Sequence, residues 1–275
     1  MAELQWRRIH LPDTTLEVAV RGAGDPVVVV QTAATADEFV PFATRPELDD
    51  HRLVLYHRRG YAGSDPVRGP GSIARDARDC RHLMAALGIE RAHLVGGSYS
   101  AAVALQLAVD TPDRVHTLTL IEPPPVFTSA ADDFLAATDR ILEDYRLHGA
   151  APTLDSFLSR VVSPDWRVEL DRHLPGSAAR AERDADTFFG TDLPALRDWS
   201  FAAEDARRIT APVLYVGGSE SGPWFAEVHR EVLRRFPQAQ DVTVAGAGHS
   251  LPVTHPAEVA AAVGAFLRVH PLGLP

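Results

Sequence analysis

The sequence predicts an α/β protein built on a mostly parallel, eight-stranded sheet, with helices on both faces and a helical lid inserted late in the chain. Three observations carry this. Short β-branched and aliphatic runs alternate with helix-like stretches, the pattern of parallel strands joined by crossover helices. Val27-Val28-Val29-Val30 is continuously apolar, as in a strand buried on both faces. The alternation then fails between about Pro123 and Arg208, where only helical patterns occur.

Taken in order, Leu4–Leu11 and Leu16–Arg21 read as an opening pair of strands, with Pro12 and Asp13 in the turn. Val27–Val30 is the third strand, and Asp37–Leu48 reads as a weak helix after it. Arg52–Tyr56 is the fourth strand. Ser72–Gly88 reads as a helix with Ser72 as N-cap, Asp76 in its first turn and Gly88 as its stop. Ala92–Gly96 is the fifth strand, followed by an alanine-rich helix, Ser98–Thr111, that Pro112 ends. Val115–Ile121 is the sixth strand.

The helical patterns Ala131–Leu147 and Leu154–Val162 follow, in a segment broken by Pro152, Pro164, Pro175 and Pro194. Its aromatic residues read mostly as the lid's own core, with a few lining a pocket. Val213–Val216, a helix over Ala226–Phe236, Asp241–Val244 and a helix over Pro256–Val269 close the pattern. Residues 1–123 and 209–275 thus form the core domain and 124–208 the lid, with His270–Pro275 as an untethered tail.

The composition narrows the function. A chain of 275 residues suits one large domain, and 45% hydrophobic residues is ordinary for a soluble protein. The formal charge is −10 and no lysine occurs, which argues against a nucleic-acid partner. The apolar runs are too short to span a bilayer, and MAELQWRRIHLPD lacks the apolar region of a secretory signal. Cys80 is the single cysteine and sits in a helical pattern, so it reads as a buried structural thiol. The histidines do not cluster with metal-ligand spacing, and no glycine-rich nucleotide loop is present. The expectation is a cytoplasmic enzyme without cofactor or metal, acting on a small molecule, with no nucleic acid or membrane as partner; a homodimer is possible.

The chemistry centres on Gly96-Gly97-Ser98-Tyr99-Ser100, between an apolar strand and an alanine-rich helix. A G-x-S-x-G turn in that context raises a serine hydroxyl out of the sheet. Here Ser100 stands at the last position, where the crowded turn asks for a small side chain. A serine hydroxyl needs a base. His249, in Gly246-Ala247-Gly248-His249-Ser250 directly after the last strand, is the one histidine in such a loop.

LVGGSYS followed by PDRVHTLTLIEP, VLYHRRGYAGSD before them, and APVLYVGG and VAGAGHSLPVTHPAEVAAAVGAFL after them together resemble the α/β-hydrolase fold over nearly the whole chain. The resemblance implies a triad in the order Ser, acid, His. The usual acid position, counted through Gly218, holds Ser221, so Glu220 serves only if that turn is remodelled. The other family position, after the strand that follows the nucleophile helix and used in one branch of haloalkane dehalogenases, holds Glu122. The alternatives are Glu122, Glu220 or neither.

The resemblance also implies two oxyanion donors, the backbone N–H of Tyr99 and that of Ala33. Gln31-Thr32 replaces the family's His-Gly before Ala33. His57 replaces the aspartate of the turn D-x-R-G-x-G-x-S, which implies a structural part for that turn. The implied function is a hydrolase acting on an ester, thioester or lactone of a small, largely apolar substrate through an acyl-enzyme. A lyase-type reaction on the same triad and a ligand-binding protein with vestigial activity are the rivals.

Overall fold

Val27–Val30 sits near the middle of the sheet because both of its faces are covered. In the computed structural model, which describes residues 4–162 and 164–273, Val28 and Val30 join one hydrophobic core and Val27 and Val29 the other. Leu53 and Leu55 against Val54 and Tyr56 repeat that alternation one strand away. A strand turns successive side chains to opposite faces, so burial on both sides demands the continuous apolar run.

Eight strands form one sheet: β1 (Trp6–His10), β2 (Thr15–Arg21), β3 (Pro26–Val30), β4 (Arg52–Tyr56), β5 (Ala92–Gly97), β6 (Val115–Ile121), β7 (Val213–Gly218) and β8 (Gln240–Val244). Their order is β1-β2-β4-β3-β5-β6-β7-β8. The pairs β1–β2 and β2–β4 are antiparallel and the remaining pairs are parallel. The C-terminal ends of β3, β5, β6 and β7 therefore lie side by side at one edge, where open α/β sheets bind ligands.

The helices are α1 (Val40–Ala43), α2 (Ile73–Ala86), α3 (Tyr99–Asp110), α4 (Ala131–His148), α5 (Ala150–Val161), α6 (Trp166–His173), α7 (Ser177–Thr187), α8 (Leu193–Arg197), α9 (Ala203–Arg208), α10 (Pro223–Arg235), α11 (Leu251–Thr254) and α12 (Pro256–Arg268). Residues of α2, α3, α9 and α10 build the core on one sheet face, and those of α1 and α12 the core on the other. Helix α3 is buried on nearly every side, and its run of alanines lets it lie close to both α2 and the sheet. Ser72 caps α2, accepting from the Arg75 N–H at 3.1 Å. Cys80 is buried on that helix, and burial pushes its thiol up to about 12.

Two expected elements differ. The helix expected over Asp37–Leu48 is broken into one α-turn, Val40–Ala43, and a 3-10 turn, Pro46–Leu48. Pro46 lacks an N–H and holds Arg45 extended (ψ 145°), so the helix cannot continue. The expected loose tail is tethered: the Leu272 N–H donates to Asp25 at 2.7 Å and the carbonyl of His270 lies 3.0 Å from His116 Nε2. Residues 274–275 lie outside the described part.

Helices α4–α9 fill the stretch between β6 and β7. They enclose a core of their own that includes Leu154, Trp166 and Phe189. Side chains fasten this insertion to the sheet domain: Thr187 Oγ1 donates to the Gly60 carbonyl and Trp199 Nε1 to Gln106, both at 2.9 Å. No helix among the described residues is long and apolar enough to cross a membrane.

The turn after β4 is a brace. Ser64 Oγ donates to the His57 carbonyl at 2.6 Å and accepts from the Glu17 N–H at 2.8 Å, while Arg59 pairs with Asp79 and Asp13. Asp13, Asp79 and His82 lie within a metal ion's reach of one another, but the Arg59 guanidinium already donates to both carboxylates. His57, buried and stacked on Trp6, holds Glu17 at 2.8 Å with Nδ1 and Asp37 at 2.9 Å with Nε2.

Burial disfavours the charged His57 ring, but hydrogen bonds to Asp37 and Glu17 outweigh it and raise its pKa. The Glu17 carboxyl is lowered chiefly by its bond to His57. Asp37 is lowered too, the charged ring overcoming the effect of burial. A raised histidine gives stability that is full below about pH 6.5 and lost as pH rises through its folded value, while the lowered carboxylates contribute fully above about pH 4.5. Replacing His57 by Gln is thus expected to lower the melting temperature more at about pH 6 than at about pH 9. An equal loss at both would contradict a charged His57.

Candidate active site

Four non-glycine residues among those described have a positive φ: Ala34, Ala62, Ser98 and Glu122. Three of them, Ala34, Ser98 and Glu122, follow the parallel strands β3, β5 and β6. Each such residue costs of order 1–3 kcal/mol, a strain that tends to gather at functional sites.

Ser98 takes φ 50° and ψ −124° between β5 and α3. The turn is tight enough that a Cβ on Gly96 would lie 2.4 Å from the Ser100 carbonyl. Ser100 suits the position where glycine is usual, because its hydroxyl donates to the Gly97 carbonyl at 2.9 Å and accepts from the Gly97 N–H at 3.0 Å. The departure from the motif thus adds a bond across the turn.

Glu122 follows β6 at φ 44° and is almost fully buried. Its Oε2 lies 2.7 Å from His249 Nδ1, and its Oε1 accepts from the Gly218 N–H at 2.8 Å. Phe225 stacks on the His249 ring with centroids 4.1 Å apart. His249 and Ser98 line the same cavities. Glu220 is exposed, and its backbone N–H binds the Ala247 carbonyl at 2.9 Å. A Cβ on Gly218 would lie 2.2 Å from that carbonyl, so the glycine is what lets the His249 loop dock there.

Ala33 lines both cavities and Tyr99 the larger one. Among the described residues neither backbone N–H has an acceptor. The loop before Ala33 holds its shape without His-Gly. Thr32 Oγ1 donates to the Gly97 carbonyl at 3.0 Å, and the left-handed residue is Ala34, whose N–H donates to the Tyr61 hydroxyl at 3.1 Å.

A buried polar network under this loop was not expected from the sequence. Arg58 donates through Nε to the Gln31 carbonyl at 2.9 Å and pairs with Asp76 at 2.7 Å and Asp192 at 2.6 Å. Tyr61 donates to Asp192 and Tyr99 to Asp76, at 2.6 and 3.0 Å. Burial disfavours the charged Arg58 guanidinium, but Asp192 and Asp76 outweigh it and raise its pKa. Asp192 comes from a π-helical turn, Phe188–Asp192, in the insertion. Asp76, expected merely as an acid in the first turn of α2, is buried against Arg58. The available signal was the pair Arg58-Arg59 straight after a buried strand, where neither arginine can easily reach solvent.

The cavities differ. One of about 540 Å³ is mainly apolar, with Phe134, Ile141 and Leu193 from the insertion and Trp224 and Phe225 from α10. The other, of about 110 Å³, lies against Thr35, Glu38 and Ser177. Of the insertion's aromatics, Phe134, Phe157 and Phe188 reach a cavity; Trp166 and Phe189 are core.

A family model described as the alpha/beta hydrolase fold matches residues 25–256. The chain belongs to that family. A provisional carbamate hydrolase, RutD, of Caulobacter sp. (strain K31) is 29% identical over 229 residues, 78% of this chain and 80% of that protein. Esterase YbfF of Escherichia coli (strain K12) is 24% identical over 260 residues, 88% and 93% of the two chains. The structure of a thermophilic esterase from Thermogutta terrifontis superposes with a TM-score of 0.79 at 21% identity, covering 97% of this chain and 99% of that one, a likeness of fold. The protein is a hydrolase of the α/β-hydrolase type. In this α/β-hydrolase the turn after β7 carries Ser221, whose hydroxyl is buried with no partner among the described residues.

Proposed function

We propose that this α/β-hydrolase cleaves an ester, thioester or lactone of a small, largely apolar substrate by acyl transfer through Ser98, His249 and Glu122. The observation that carries the reading is the 2.7 Å contact of Glu122 with His249 Nδ1, on a histidine that shares its cavities with the strained Ser98. An imidazole held at Nδ1 by a carboxylate keeps its Nε2 lone pair for a proton.

Ser98 Oγ attacks the carbonyl carbon as His249 takes its proton, and the tetrahedral oxyanion is bound by the free N–H groups of Ala33 and Tyr99. Such donors are worth roughly 3–4 kcal/mol each in barrier. Collapse expels the alcohol, thiol or ring oxygen with the proton from His249, leaving an acyl-Ser98. Water, deprotonated by His249, releases the acid. Residues 124–208 act as a lid that supplies much of the apolar wall. The cavity of about 540 Å³ is within the usual range for a small-molecule site and supports an apolar substrate half.

A serine-reactive fluorophosphonate tests the reading. It should label the wild-type protein and not Ser98→Ala, and the wild type should release acid from aromatic or short-chain esters. Labelling without acid release would favour a lyase-type reaction on the same residues. Absence of both would overturn acyl transfer through Ser98.

A further inference from the structure

The 110 Å³ cavity holds polar groups that the proposed reaction does not use. Glu38, just before α1, lines it; its Oε2 accepts from Thr35 Oγ1 at 2.9 Å and its Oε1 has no partner among the described residues. Ser177, at the start of α7, lines it from the insertion. That residue is 4% exposed and its hydroxyl has no partner among the described residues. A buried unpaired hydroxyl costs about 1–3 kcal/mol, so a polar occupant is favoured there. Thr32, Thr35 and Ser250 add further hydroxyls, much of the remaining wall is apolar, as at Leu158, Leu170 and Leu174, and Glu38 is the one acidic residue lining this cavity among the described residues.

The two cavities share Ala33, Ser98 and His249 in their walls. The serine therefore borders both cavities, so a substrate bound at Ser98 has a separate chamber for each half. A cavity of about 150 Å³ accepts benzene, so one of 110 Å³ takes a group of roughly three to five heavy atoms. Burial raises the Glu38 carboxyl pKa, against the opposing pull of His249 and Thr35.

We infer that Glu38 and Ser177 are specificity-determining residues that receive a small hydroxyl- or amide-bearing half of the substrate, the bulky apolar half lying in the 540 Å³ cavity. Either oxygen state of Glu38 accepts an O–H or N–H, and Ser177 can donate in return. The inference rests on the hydrolase reading above.

Two pairs of esters, matched in shape, test it. One pair is 2-naphthyl hydroxyacetate against 2-naphthyl propanoate; the other is 2-hydroxyethyl against propyl 4-phenylbutanoate. Their aromatic halves are too large for the small cavity, and the pairs place the hydroxyl on the acyl and the leaving side in turn. The readout is the hydroxyl-to-methyl ratio of kcat/KM in the wild type divided by that in a variant, which cancels intrinsic reactivity. For Glu38→Leu this quotient should be about 10 or more in at least one pair, while Glu38→Gln, which keeps an acceptor, should stay near 1. For Ser177→Ala it should be about 3 or more, a result that decides the matter even if Glu38→Leu does not fold. Quotients near 1 for the folded Leu and Ala variants in both pairs, with the wild type active, would overturn this inference alone. No turnover of any of the four esters and no labelling of Ser98 would overturn the proposed acyl transfer at Ser98 and this inference with it.

Discussion

Glu122→Gln is expected to lower kcat by about 10⁴-fold with the fold intact, while Glu220→Gln changes it by less than about threefold. Glu122 has two partners of different kind: the Gly218 N–H donates to Oε1, and His249 Nδ1 faces Oε2. A glutamine has only one acceptor atom. Gly218 has a hydrogen to give and claims the amide oxygen, which turns the NH2 toward His249. That NH2 is a donor, so it selects the imidazole tautomer with Nδ1 unprotonated and Nε2 carrying the proton. The base then has no lone pair for the Ser98 proton. Steady-state kinetics on an ester that the wild type cleaves gives the comparison; a large loss from Glu220→Gln with Glu122→Gln active would reverse the assignment.

Arg58→Met is expected to destabilise the protein by about 3–5 kcal/mol, the usual cost of stripping one partner from a buried ion pair. Asp76 and Asp192 are both nearly fully buried and both pair with the same guanidinium, Asp76 having besides it only a longer contact of 3.7 Å to Arg75 among the described ion pairs. Without it the two carboxylates face each other's charge in a space that water does not reach. A lysine is no substitute, because one ammonium cannot repeat the fork that binds Asp76, Asp192 and the Gln31 carbonyl together. Denaturant unfolding monitors the loss, and adding Asp192→Leu to Arg58→Met should recover part of it. A fall below about 1 kcal/mol would mean that the pair contributes little. Since Gln31 and Thr32 lead into Ala33, the variant should also lose kcat in whatever fraction stays folded.

Much of the fold was legible because it is written in local pattern. Every expected strand occurs, and Val27–Val30, Arg52–Tyr56 and Val115–Ile121 lie within a residue of their expected ends. Their apolar runs arise from burial on both faces, and that signal needs no knowledge of neighbours. The weak helix over Asp37–Leu48 failed at Pro46, a breaker visible in the sequence itself. The tail was misread because its anchor is Asp25, nearly the whole chain away.

The same division runs through the site. Ser98 and His249 stand out because each sits in a short stretch whose small residues serve a turn. Glu38 and Ser177 gave no such sign, since a glutamate in a loop and a serine at a helix start are ordinary until a cavity forms around them. Arg58 was readable as part of a bracing turn, but not as the link between that turn and the insertion.

By itself the sequence determined the strands, the elbow at Ser98 and the histidine loop after the last strand, because backbone conformation at a tight turn and two-sided burial depend on adjacent residues. Which carboxylate meets His249 was decided only in three dimensions. Strand β6 lies between β5 and β7, and this brings the end that carries Glu122 beside Gly218 and under a histidine 127 residues further on. The pairing of Arg58 with Asp192, 134 residues apart, was decided in the same way. Charges that must be buried choose partners by proximity in the packed molecule, and spacing along the chain does not report it.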